Sequence, residues 1–224
     1  MAQSMDVFVP DVLPICPGVS EFLVQRETRN AIIKFCQESR VFRRDLDPVS
    51  LVANIYEYEI EVPAGTTIVE IETMTYKGTP LDPRTLKEVE DRTTDWREQT
   101  GPTRYYIRRP DNLMWLVPVP GSSEVSAVDI NVSLKPTRSS VSFDDELYED
   151  YFEPILNLVL SRILRIPGKD WTDKRSANEY LAIYEQELQN ARVRGRKAQR
   201  GAAPTVKYGG ISSSRAKDDY GQRF

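Results

Sequence analysis

No histidine occurs anywhere in this chain. Its absence removes the usual catalytic triads, the His-ligated zinc sites and the commonest general base near neutral pH. Cysteine is nearly as scarce: Cys16 and Cys36 are the only two, too few for a disulfide framework. Cys36 lies among apolar residues and reads as core, while Cys16 sits in a turn between Ile15 and Pro17. A bridge between them has no support in the sequence, and synthesis in a cytoplasm disfavours one. Glycine-rich phosphate loops are also missing, since the one dense pair, Gly209 and Gly210, has no helix after it. No stretch approaches the roughly 20 continuous apolar residues of a membrane span. Residues 1–14 lack a basic opening region, so no secretory signal is expected. No repeat occurs at solenoid periods.

What is present is uneven in charge. The stretch 192–224 holds nine Lys or Arg against two acids, Asp218 and Asp219, while the whole 224-residue chain has a net charge of −4. The body is therefore strongly acidic, which argues against a DNA-binding face on it, and the basic end reopens that question. The end also contains Pro204, Gly201, Gly209, Gly210 and the triplet Ser212 to Ser214. Such a segment has too little apolar surface to offset the entropy of ordering itself, so it is expected to take its shape from another chain. Elsewhere, 40% hydrophobic content suffices for a core, and a mean hydropathy of −0.48 indicates much wet surface.

The pattern along the chain changes period twice. Residues 1–18, punctuated by Pro10, Pro14, Pro17 and Gly18, read as an extended arm ending in a turn. Ser20 can cap a following helix that ends near 40–44, where Arg40, Arg43 and Arg44 suit the macrodipole. From Tyr56 to Val62, apolar residues alternate with Glu57, Glu59 and Glu61, which predicts a half-buried strand. Residues 66–73 repeat the pattern with Val69 and Ile71 on one face. Residues 84–91 read as a short helix, and 103–109 with 113–119 as a hairpin around Pro110, Asp111 and Asn112. Val128, Ile130, Val132 and Leu134 alternate once more. Helical period returns at Ser142, which with Asp145 resembles a capping box. Pro154 predicts a kink, and Pro167 with Gly168 a stop. A last helix starts near 172–173, carries Ala177, Tyr180, Leu181, Tyr184, Leu188 and Ala191 on one stripe, and dissolves over 192–197. Three amphipathic helices cannot each bury a stripe alone. The expected fold is α+β: a helical bundle (19–48 and 138–200), an inserted antiparallel β module (49–137), an N-terminal arm (1–18) and an extended C-terminal tail (201–224).

A search for chemistry finds no catalytic, cofactor-binding or metal-ligating set. The acidic cluster from Asp144 to Glu153 has neither the spacing nor the glycine of a calcium loop and suits a solvated helix N-terminus. Glu57, Glu59 and Glu61 either keep an exposed strand from pairing or form an electronegative surface that repels DNA. Ser212 to Ser214 have no base nearby in sequence. Trp96, Trp115 and Trp171 read as packing anchors, Trp171 as a staple before its helix. Tyr208, Tyr220 and Phe224 form no stacking array for nucleic acid; spaced in an extended peptide, they fit as plugs for pockets on a protein partner.

The order of elements resembles a known family. Residues 29–41 (RNAIIKFCQESRV) with 45–48 (DLDP) resemble the first helix and helix exit of head-to-tail adaptor proteins of tailed bacteriophages, the connector or tail tubular protein A-like family. Residues 56–60 (YEYEI) and 63–65 (PAG) are similar to the opening of their β insertion. Residues 134–136 (LKP), the acidic helix, 171–173 (WTD) and 177–191 resemble their closing helical pair. The resemblance implies a homo-oligomeric, usually dodecameric ring in the virion neck, docked between the portal protein and a tail or collar/nozzle protein. The genome would pass through its lumen without specific binding. No enzyme activity, cofactor or membrane is implied. The C-terminal tail would run along the portal and strengthen the joint, with Arg200, Lys207, Tyr208, Arg215, Lys217, Tyr220, Arg223 and Phe224 as its candidate contact residues. The other reading is a nucleic-acid-binding protein whose basic tail contacts phosphates.

Overall fold

The computed structural model describes residues 2–200, with side chains as far as Arg196. The chain opens with β1 (Ala2–Ser4), a 3-10 turn (Met5–Phe8) and α1 (Val9–Val12), followed by the long α2 (Glu21–Ser39). Then come β2 (Arg43–Asp45), β3 (Val49–Leu51), β4 (Glu57–Glu59), β5 (Thr66–Tyr76), β6 (Thr79–Pro80), β7 (Asp82–Pro83) and α3 (Leu86–Arg92). After them run β8 (Thr100–Gly101), β9 (Tyr105–Arg108), β10 (Leu113–Val117), β11 (Val119–Pro120), β12 (Glu124–Pro136) and β13 (Ser142–Asp144). Helices α4 (Asp145–Ile163) and α5 (Lys174–Arg200) end the described chain. The fold is α+β.

The bundle consists of α2, α4 and α5 in mutual contact. Ser20 caps α2, its hydroxyl accepting the Leu23 amide at 3.3 Å, and Arg40 ends the helix in the left-handed conformation with φ 55°. Helix α4 runs antiparallel to α2, as the Phe35–Tyr151 ring contact at one end and the Glu27–Arg162 bond at the other require. Helix α5 runs back parallel to α2. Its N-terminal end is near Gly18 through Trp171, and Tyr184 and Arg192 both reach Glu38. The kink expected from Pro154 is present: Tyr151 leaves helical geometry at φ −134°, ψ 26°. Proline has no N–H for the Asp150 carbonyl, and its ring crowds that turn.

Beside the small pairs β1-β13 and β11-β8, two larger sheets are present, one of them packed under α2 through β12. One has the strand order β2-β12-β5-β6, with β3 also on β12, all antiparallel. The other has the order β4-β10-β9-β7, in which β7 joins β9 in parallel. The β9–β10 hairpin turns on Asp111 and Asn112, both with φ near 60° (61° and 58°), as a two-residue turn between right-twisted strands requires. Val128, Ile130, Val132 and Leu134 of β12 are all buried and fill the space beneath α2.

The structure departs from the sequence-based expectations in five places. The N-terminal arm is not extended. Residues 5–12 are helical, and Met5, Phe8, Val9, Val12 and Cys16 are buried against the bundle. Pro10 sits in the first turn of α1, where its missing N–H costs nothing. On β5 the buried residues are Ile68, Ile71 and Met74, spaced by three. Two register shifts leave Val69 and Glu72 without cross-strand partners, and each extra residue turns the following side chains to the other face. Only Glu57–Glu59 of the long alternating stretch pairs as a strand. Ser142 belongs to β13, paired with β1, so the cap of α4 is Asp144, which accepts the Glu146 amide at 3.0 Å. Finally, α5 does not dissolve at Arg192; it continues to Arg200.

Candidate assembly surfaces

Among the described residues no group of three or more metal-ligating side chains converges. The acidic cluster is instead divided. Arg44 takes Asp144 and Glu146 at 3.0 and 2.7 Å, and Glu149, Asp150 and Glu153 stay exposed along α4. Helix α4 thereby keeps negative charge at its N-terminus, where the dipole favours it. Glu57, Glu59 and Glu61 lie on and beside β4, the outer strand of its sheet, where single-sign charge disfavours pairing with another strand.

One end of the β module presents a preorganised apolar tip. Val52 and Ile55 are 49% and 44% exposed, and Val125 is 86% exposed. The Leu51–Glu124 pairing brings the loop after β3, with Val52 and Ile55, beside Val125 at the start of β12. Their backbone is pinned. The Tyr58 hydroxyl accepts the Val52 amide at 3.1 Å and lies 3.0 and 2.9 Å from the carbonyls of Val52 and Ile55. The Asn54 amide donates to Pro120 and the Ala53 amide to Ser123. Burial pushes the Tyr58 phenol up, with the Val52 hydrogen bond opposing it, so the hydroxyl stays protonated. A loop held this way loses little entropy on contact with a partner.

A tryptophan stack supports the outer sheet. Trp96 is buried beside Trp115, with ring centres 5.8 Å apart, and Tyr56 meets both edge-on. Arg97 lies 4.5 Å over Trp96 and Arg109 lies 4.4 Å over Trp115, while the Trp115 indole donates to Glu57 at 2.6 Å. Trp171 packs against the core beside Gly18, as expected of an anchor.

The last turns of α5 are the third surface. Asp173 accepts the amides of Arg175 and Ser176 and starts the helix; the Ser176 hydroxyl and these amides hold its carboxyl below the usual range. Ala177, Tyr184, Leu188 and Ala191 are buried along one stripe, with Tyr180 and Leu181 half-buried beside them. Beyond Ala191 the apolar stripe ends in the sequence, and two polar contacts hold the described part of the helix. Arg192 donates to the Glu38 carbonyl at 2.7 Å, and Arg43 donates to the Gly195 carbonyl at 2.8 Å. Of the tail residues singled out in the sequence, Arg200 is the last residue of α5. Lys207, Tyr208, Arg215, Lys217, Tyr220, Arg223 and Phe224 lie outside the described residues.

Sequence reasoning missed Arg43 and Arg44 as tertiary links. Both were read as dipole-matching residues at the end of α2. In the fold Arg44 serves α4, and Arg43 serves α5. It also missed Gly195, whose place in a basic run looked like the end of a helix. No helix among the described residues is long and apolar enough to cross a membrane. No curated protein matches the chain. The family model for SU10 adaptor protein matches residues 17–207, most of the chain's length. The chain belongs to the SU10 adaptor protein family and is a phage adaptor-type structural protein.

Proposed function

We propose that this protein is a non-catalytic head-to-tail adaptor of the virion neck. Copies of the chain associate into a ring, dodecameric by the family resemblance. The ring docks on the portal protein on one side and on a tail or collar/nozzle protein on the other, and its lumen conducts the genome without gripping it. The family match over residues 17–207 carries this reading. The body is compatible with it: a large continuous core, no group of three or more metal-ligating side chains among the described residues, and a final helix that leads into the basic stretch 201–224. In this reading that stretch is the portal-binding arm. It folds by addition to its partner and offsets its ordering entropy through distributed contacts.

The test is deletion of residues 201–224. The shortened chain should keep the far-UV circular dichroism and melting temperature of the full chain and lose at least about tenfold in affinity for isolated portal rings. Equal affinity of the two chains rules the arm out. The basic end also fits duplex DNA. In that case binding would weaken steeply with salt through counterion release, and a flat salt response removes the DNA reading.

A further inference from the structure

The end of α5 is held by an exchange of arginines with α2. The last carbonyls of α2, Glu38 among them, have no intrahelical donor, whereas the Gly195 carbonyl lies inside α5 and takes Arg43 as an added donor. Glu38, in the last turn of α2, receives Arg192 from α5, while Gly195 of α5 receives Arg43 from just beyond α2. Gly195 permits the approach: a Cβ there would lie 3.3 Å from Cγ1 of Val41, tighter than most packed contacts. A glycine inside a helix is otherwise unfavourable by roughly 1 kcal/mol against alanine. Its presence fits a site where close docking matters more than helix strength.

Arg43 has a second partner. Its Nη2 lies 3.7 Å from Oε2 of Glu72, too far for a hydrogen bond, and the two side chains are only 19% and 11% exposed. Nε of Arg43 and Oε1 of Glu72 are both buried and find no hydrogen-bond partner among the described residues. Leaving such groups unmade is costly, and a bidentate guanidinium–carboxylate pair would satisfy both. Nη1 of Arg43 is bound to the Gly195 carbonyl at 2.8 Å, while the Nε and Nη2 edge that could make such a pair stands short of Glu72. Glu72 is one of the two extra residues inserted in β5, so the bulge places this carboxylate beside α5.

We infer that Arg43 is a two-position clasp. With α5 docked, it holds Gly195 and fixes where the C-terminal arm leaves the body. With the end of α5 lifted, it closes on Glu72. The clasp is thus a positioning element for the arm, and its functional meaning rests on the portal-binding reading above. It makes release of the last turns less costly than loss of a simple hydrogen bond, and it links the arm's engagement to β5.

Hydrogen exchange of the full chain, read by mass spectrometry, tests this without any second protein, so its outcome is separate from the arm's partner. Arg43→Gln should speed exchange of the amides in 190–200 by about tenfold, as loss of a charge-assisted bond implies, and leave those in 175–188 unchanged. Glu72→Gln removes the competing partner and should slow exchange in 190–200. Where Arg43→Gln fails to fold, Arg43→Lys, which keeps the charge and loses the fork, should show the same selective acceleration. Changes of the same sign in the Arg43 and Glu72 variants, or acceleration spread evenly over 175–200, overturn the clasp.

Discussion

The described residues form two hydrophobic clusters that differ in size and in what packs around them. The large one runs through α1, α2, α4, α5 and the sheet of β12 and β5, and consists mostly of aliphatic residues with Phe8 and Phe35. The small one, Val89, Trp96, Ile107 and Val117, sits between α3 and the outer face of β9 and β10. It has few aliphatic residues, and Tyr56, Tyr105 and Trp115 pack around it beneath Arg97 and Arg109. A continuous aliphatic core couples every element that touches it, because removing one side chain leaves a cavity its neighbours cannot fill. A small cluster capped by aromatic and guanidinium stacks can loosen by itself. The bundle and inner sheet thus form the frame; Tyr106, Met114 and Leu116 tie one face of β9 and β10 into it, and only the small cluster on their other face, under α3, can loosen separately.

Substitutions can break this comparison. Phe35→Ala empties a fully buried site against the kinked turn at Tyr151 and should cost about 3–5 kcal/mol in denaturant unfolding. All spectroscopic probes should shift together. Trp96→Ala should cost about 3 kcal/mol, but hydrogen exchange should rise in 86–117 while amides of α2 and α4 stay protected. Equal loss of protection in both regions would show that the clusters are one cooperative unit. Arg97→Ala removes one exposed guanidinium from the stack and should cost about 1 kcal/mol or less, again confined to the outer sheet.

Acid should act most weakly, and on both regions at once. Asp173 at the start of α5 and Glu88 in the cap of α3 have carboxyls held low, the first mainly by Ser176, the second mainly by the Thr85 amide. A depressed carboxyl adds stability above its unfolded value, near pH 4, and loses it as pH falls through the folded value. Helix content should therefore hold constant down to about pH 4.5 and decline below it. Asp173→Asn and Glu88→Gln should flatten that decline in their own helices only. Fraying that begins above pH 6 would place the sensitive groups elsewhere.

Periodicity made most of the frame readable. The stripe on α5, the alternation on β12, the cap at Ser20, the kink at Pro154 and the hairpin at Asp111 and Asn112 each follow from local spacing or local sterics. Such features require only that one face be buried, whatever buries it. The N-terminal segment escaped this reading because its prolines suggest extension, and only contact with α2 and α4 stabilises so short a helix. The surfaces for assembly were less legible. The basic end was conspicuous in charge, but the apolar tip depends on the loop before β4 being tied to Pro120 and Ser123, far along the chain, which no spacing announces.

The amino-acid order alone determined the three long helices, the buried face of β12 and the charge asymmetry between body and end, because these follow from local spacing and composition. The tertiary structure decided the rest. It placed two extra residues in β5, it extended α5 past its apolar stripe, and it gave Arg43 and Arg44 to distant helices. Those outcomes depend on which buried polar groups meet across the core. That is set by the packed arrangement and by no property of the segments taken singly.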